Sequence, residues 1–192
     1  MTIDEIIRLA LAEDIGTGDI TTRFLDLEAV RSTAFMVAKA EGVIAGAEIA
    51  QKVFKAVDPE LKVTLYKKDG DSVRPTDEIM RIEGKASAIL MGERTALNFI
   101  QRMSGIATRT RSIVNALGGS STRLLDTRKT TPLLRELEKM AVKIGGGYNH
   151  RFGLYDMILL KENHIRAAGG ISEAVRRVKL HNTSYKIECK IT

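Results

Sequence analysis

The order of elements after residue 122 limits the fold of this chain more than any other feature. Short apolar runs at residues 123–125, 157–160 and 185–189 alternate with two amphipathic stretches. The first opens at Thr131 as N-cap and Pro132 as first helical residue, with Leu133, Leu137, Met140, Ala141 and Ile144 as its apolar stripe. The second covers residues 172–180. Strand, helix, strand, helix, strand with short links is the pattern of a parallel sheet, open or closed into a barrel. Folds of this kind bind ligands at the carboxyl edge of the sheet, so side chains just past each strand are the first candidates for function.

The first 117 residues read differently. Ile3, Ile6, Ile7, Ala10 and Leu11 have the spacing of a short helix over residues 3–12, with Thr2 and Glu5 as a capping box. Residues 13–22 mix glycine with acidic and hydroxyl side chains and read as a loop, whose oxygens serve turns and caps or hold a cation. Short strands are expected at residues 35–38 and 43–45, around Val63 and Leu65, at Ile79 and Ile82, and at Ile89 and Leu90. A helix over residues 47–57 interrupts them. Residues 93–117 predict one long helix, or two joined near Gly105, ended by Gly118 and Gly119. The chain therefore divides into an α+β part at 1–117, including the long helix, and a β-α part at 118–192.

Composition removes several classes. The chain has 192 residues, 44% hydrophobic and 28% charged, as an ordinary globular protein does. No apolar run approaches the roughly 18 residues that span a bilayer, and no secretory signal is visible at the N-terminus. One cysteine, Cys189, gives neither an internal disulfide nor a thiolate metal cage, and a reducing cytoplasm is the expected setting. A net charge of +6 and a pI near 9.5 fit either nucleic acid or an anionic metabolite. Basic runs of no more than two residues, aromatics at 5% and no Trp weigh against nucleic acid.

Three polar clusters follow the strand-like runs or the intervening helix. They are Asp126-Thr127-Arg128-Lys129-Thr130-Thr131-Pro132, Asn149-His150-Arg151 and Lys161-Glu162-Asn163-His164. Arg128 and Lys129 lie between a strand and the expected helix start at Pro132, where backbone N–H groups add positive potential. Gly145-Gly146-Gly147 leads toward His150 and Arg151 and permits close backbone approach. Lys161 directly follows an apolar strand, where an ammonium is costly unless it meets an anion or water. Glu188, on the last strand, reads equally as a metal or ribose ligand or as half of a salt bridge. Four cations, Arg128, Lys129, Arg151 and Lys161, point to a small ligand with several negative charges.

On these clusters, together with Glu13-Asp14 through Thr22, Glu93-Arg94-Thr95-Ala96-Leu97-Asn98 and Ser104-Gly105-Ile106-Ala107, the chain resembles the quinolinate phosphoribosyltransferases (carboxylating nicotinate-nucleotide pyrophosphorylases). The resemblance implies an N-terminal α+β sandwich domain followed by a partial α/β barrel of parallel strands, assembled at least as a homodimer. The implied reaction converts quinolinate and phosphoribosyl pyrophosphate to nicotinate mononucleotide, pyrophosphate and CO2 in de novo NAD biosynthesis, with Mg2+ carried mainly by the pyrophosphate. Arg128, Lys129 and Lys161 would be catalytic. Thr127, His150 and Arg151 would join them in binding substrate, Arg94 would reach in from a neighbouring subunit, and Glu188 would be a metal ligand.

The resemblance also carries a departure. Family members continue past the third barrel strand through further β-α units, and Lys190 stands where they have a second glutamate. The expectation is a barrel domain cut short, with final residues of the kind a frameshift produces and with bare sheet edges. Two alternatives to the enzyme follow: a non-catalytic homologue that binds quinolinate or acts as an assembly partner, and the related protein encoded with molybdate transporters. The carboxylate-binding cations weigh against the second.

Overall fold

The computed structural model describes residues 1–181 and 184–190. Two compact units divide at Asn149 and His150. The mixed α/β class holds, with antiparallel sheets in the first unit and a parallel pair in the second.

Helix α1 (Ile3–Ile15) starts as its sequence dictates. The Glu5 N–H donates to Thr2 Oγ1 at 3.2 Å, and the Thr2 N–H donates to Glu5 Oε2 at 2.6 Å. Ile6, Ile7 and Leu11 are its buried face. The expected loop at 13–22 is a correction: α1 runs on to Ile15, and a second helix, α2 (Ile20–Phe24), begins within the stretch. Its oxygens serve a cap. Asp19 accepts from the N–H groups of Thr21 and Thr22 at 3.0 and 3.2 Å and from the Thr22 hydroxyl. That hydroxyl, foremost, holds the Asp19 carboxyl below its ordinary pKa.

Strands β1 (Arg31–Val37), β5 (Glu78–Lys85) and β3 (Lys62–Leu65) form an antiparallel sheet with β5 in the centre. β2 (Gly42–Val43) pairs with β4 (Ser72–Val73), so the strands expected at 35–38 and 43–45 belong to different sheets. Helix α3 (Ala47–Val57) buries Ala47, Ile49, Ala50, Val53 and Phe54 in the core.

Helix α4 (Ala86–Ala116) is a single element of 31 residues. Ile89 and Leu90, expected in a strand, lie in its first two turns. Ile89 heads a buried stripe that continues through Ala96, Phe99, Ile100, Met103, Ala107 and Thr110. That period is helical, and packing along the whole length overrides the short β-like run. Gly105 does not interrupt α4; it faces outward.

The segment after α4 departs most from expectation. The strand at 123–125 is reduced to one parallel bridge, Leu125 to Tyr148, flanked by bonds from Tyr148 N to Leu124 O (2.9 Å) and Asp126 N to Tyr148 O (3.1 Å). Helix α5 (Arg135–Ile144) begins three residues after Pro132. Pro132 and Leu133 form a turn instead, with Leu133 at φ 68° and 72% exposed, not in the buried stripe. Glu138 holds the Thr131 N–H at 3.3 Å, so the chain crosses the start of α5 rather than continuing it.

The end of α5 meets α4 closely. A Cβ on Gly145 would stand 2.5 Å from the Ala107 carbonyl oxygen and 2.6 Å from Thr110 Cβ. Arg111 also grips this corner, donating from Nε to the Gly145 carbonyl (3.0 Å) and from Nη2 to that of Ile144 (3.2 Å). Gly145 has ordinary helical φ, so the effect of Gly145→Ala is overpacking alone. Chemical denaturation should show a loss of about 1–3 kcal/mol; an unchanged midpoint would mean the two helices part without cost.

In the second unit, β6 (Ile158–Leu160) and β7 (Ile187–Cys189) pair in parallel, and Lys190 N extends the ladder to Leu160 O at 2.8 Å. Between them lie α6 (Glu162–Ala168), where only a loop was expected, and α7 (Ile171–Leu180). His164 nucleates α6 by accepting the Lys161 N–H on Nδ1 at 3.1 Å. Gly169, at φ 90°, ends it in the left-handed conformation that glycine adopts without strain. On α7, Glu173 accepts from Arg176 and Arg177 at 2.7 Å, and these bonds pull its carboxyl down to about 2. A depressed carboxyl stabilises above its unfolded pKa and loses that contribution as pH falls through the folded value. The Glu173 carboxyl signal should therefore titrate near pH 2; an inflection near the ordinary 4.5 would remove the fork.

Among the described residues, no helix is long and apolar enough to cross a membrane.

Candidate active site

The expected site residues fall in both units. In the first, Thr127, Arg128 and Lys129 sit on the segment that joins the Leu125 bridge to α5. Thr127 Oγ1 accepts the Lys129 N–H at 3.1 Å, which folds the segment into a tight turn around Arg128. Lys129 is exposed. Arg128 is half-buried, and its Nε is fully enclosed with no hydrogen-bond partner among the described residues. A guanidinium N–H left without a partner is costly, and an anion on the outer nitrogens of the same guanidinium offsets part of that cost. Arg94 lies exposed on α4.

The helix-start field expected beside Arg128 and Lys129 is corrected by the late start of α5. The residues nearest that start are not backbone donors to a ligand but side chains holding the segment. Arg135 donates from Nε to Thr130 Oγ1 at 3.1 Å and from Nη2 to the Arg128 carbonyl at 3.5 Å.

In the second unit, His150 Nε2 lies 3.0 Å from Glu188 Oε2. This contact occupies one carboxylate oxygen of the proposed metal ligand. Among the described residues no group of three His, Cys, Asp or Glu side chains is placed to hold a metal. A lone carboxylate suits Mg2+ only where substrate phosphates and water supply the other ligands. Arg151 is buried, and its Nη1 donates to the Met157 carbonyl at 3.4 Å. Asp156 accepts from the N–H groups of Phe152 and Gly153 and so shapes the loop between them.

Lys161 sits where β6 gives way to α6, but it is exposed. Of the two ways to avoid the cost of an ammonium there, this one meets water: the strand is only three residues long, and the chain turns to solvent as soon as Leu160 is buried. Lys190 Nζ lies 3.6 Å from Glu162 Oε1 across the end of the parallel pair.

Comparison with known proteins decides the lineage. The quinolinate phosphoribosyl transferase N-terminal domain matches residues 19–104, and the C-terminal domain of the same family matches residues 106–192. The probable nicotinate-nucleotide pyrophosphorylase (carboxylating) of Bacillus subtilis is 51% identical over 167 residues, which are 87% of this chain and 57% of that protein. The chain belongs to the quinolinate phosphoribosyltransferase family. The crystal structure of NadC from Streptococcus pyogenes superposes with a TM-score of 0.94 at 40% identity, covering 98% of this chain and 67% of that one. The nicotinate-nucleotide pyrophosphorylase from Francisella tularensis does so with 0.94 at 42% identity, covering 99% and 67%. This quinolinate phosphoribosyltransferase homologue spans 49% to 63% of the length of the curated relatives it matches. The boundary between the two family domains falls inside α4, so the long helix belongs to both.

Sequence reasoning missed the framework of this family member's cation segment. Lys139, 2% exposed, forms an ion pair with Asp126, whose side chain is 6% exposed. The Asn149 amide nitrogen donates to the other Asp126 oxygen at 2.8 Å and to the Lys139 carbonyl at 3.0 Å. Arg102, from α4, bonds the Thr131 hydroxyl and donates from Nε to Glu138 Oε1 at 3.0 Å. Lys139 lies two residues from both Leu137 and Ala141, on the far side of α5 from its apolar stripe. Helical periodicity reads such a lysine as solvated.

Proposed function

We propose that this chain carries phosphoribosyl transfer to quinolinate with loss of CO2, giving nicotinate mononucleotide and pyrophosphate for NAD biosynthesis. The observation that carries the reading is the enclosed, partnerless Nε of Arg128, on a turn shared with Thr127 and Lys129 in a chain of this family. A dianionic pyridine is the kind of ligand that the outer nitrogens of such a guanidinium bind.

In this reading, Arg128 grips one quinolinate carboxylate through two parallel bonds, while Lys129 and Lys161 act as point charges on a carboxylate and on the pyrophosphate. Thr127, His150 and Arg151 hold substrate, and Arg94 serves the site of a second copy in a homodimer. The ring nitrogen bonds to the ribose C1 as the C–O bond to pyrophosphate breaks. The electron pair of that bond leaves with pyrophosphate, through an oxocarbenium-like state stabilised by fixed cations. The nitrogen is then cationic. The C–C bond to the adjacent carboxylate breaks, CO2 departs, and the pair left on the ring carbon takes a proton. A Mg2+ ion carried by phosphoribosyl pyrophosphate would neutralise phosphate charge, and Glu188 would give it at most one ligand. The protein's part is positioning and charge. The single cysteine fits a reducing compartment such as the cytoplasm.

The test is incubation of the chain with quinolinate, phosphoribosyl pyrophosphate and Mg2+, beside calorimetric titration of quinolinate alone. Equimolar nicotinate mononucleotide and CO2 are expected. Binding without product would assign the chain to a non-catalytic homologue, and absence of binding would defeat both readings.

A further inference from the structure

We propose that α5 is the positioning element for the cation segment, and that the buried Lys139–Asp126 pair is its anchor. The claim about what Arg128 meets rests on the quinolinate reading; the anchoring itself does not.

Three side chains within five residues of α5 hold three points of the segment. Lys139 takes Asp126 at its start, Arg135 takes the Arg128 carbonyl and Thr130 hydroxyl in its middle, and Glu138 takes the Thr131 N–H at its end. Arg102 on α4 ties Glu138 and Thr131 together from outside. Both oxygens of Asp126 are engaged, one by Lys139 and one by Asn149, and its own N–H is held by the Tyr148 carbonyl. That carboxylate has no freedom to turn, and the next three residues are Thr127, Arg128 and Lys129. The backbone of Arg128 is thereby fixed, while its Nε has no partner among the described residues. A rigid base under an unsatisfied head is how a binding side chain is preorganised.

Stability alone does not account for the pair. Replacing a buried ion pair by uncharged groups of similar size is often neutral or stabilising. What such a pair supplies is a unique geometry, because a charge so enclosed tolerates only one arrangement of its partner.

The double variant Asp126→Asn/Lys139→Met separates geometry from stability. The amide oxygen introduced at position 126 still accepts from Asn149, and methionine fills the lysine volume. The expected melting temperature is close to that of the unaltered chain. Hydrogen exchange of the 126–131 amides should nevertheless quicken by roughly tenfold, and quinolinate affinity should fall roughly tenfold to hundredfold, as for a misplaced binding group. Asn149→Ala, at an exposed position, is measured beside it in case the double variant does not fold, and the same two changes are expected at smaller size. Unaltered exchange overturns the proposal. So does faster exchange with unaltered affinity, because the anchor would then not aim Arg128. If the unaltered chain binds no quinolinate, the substrate reading fails, and the exchange measurement alone decides the anchoring.

Discussion

Lys139→Met by itself is expected to lower the free energy of unfolding by about 3–5 kcal/mol, the largest loss of any single substitution considered for this chain. The reason is what stays behind. The Asp126 side chain is 6% exposed, and Lys139→Met takes away the ammonium paired with its carboxylate while the Asn149 amide stays. Removing one partner of a buried ion pair costs more than the intact pair was worth. Adding Asp126→Asn removes that charge and should return most of the stability. The two variants therefore make a cycle, and urea denaturation of both measures it. Equal losses in the single and double variants would show that lysine packing, not the charge, is what matters at position 139.

Arg128→Ala should act in the opposite way. Quinolinate affinity is expected to fall by about 2–5 kcal/mol, which is roughly 30- to 5000-fold. Stability should stay level or rise. In the folded chain the Arg128 Nε is enclosed without a partner, and removing an unsatisfied donor removes its desolvation cost. Binding groups held in unfavourable surroundings commonly show this exchange of stability for function. Arg128→Lys should not restore affinity, because a point charge cannot replace a planar fork. Calorimetry with quinolinate and a thermal melt on the same preparation check both halves. A large fall in melting temperature would make Arg128 a structural residue.

The elements that the sequence made legible share one property: their signal is local. The Thr2–Glu5 capping box, the stripe of α3 and the run before Lys161 each lie within a short stretch, and each stands where its pattern puts it. Ile89 and Leu90 failed the same test because so short an apolar run cannot tell a buried helix from a strand. The start of α5 failed because Thr131-Pro132 is a good helix opening in isolation. Glu138, seven residues on, takes the Thr131 N–H that a continuing helix would have used differently. Nothing short-range predicts which of two good options a distant carboxylate selects.

The candidate site divides along the same line. Residue type and order alone identified the cations at 128, 129, 151 and 161 and the family that carries them, because a charge is a property of the side chain itself. Which of those charges is enclosed was decided by the tertiary structure: Arg151 is buried and Lys161 is exposed, which neither residue's own stretch of sequence states. Lys139 is the sharper case. On its helix it reads as one more solvated cation, and it becomes an anchor only because the chain returns with Asp126 and Asn149 from either side of α5. Burial depends on what the rest of the chain brings to a position, and no local stretch of sequence contains that.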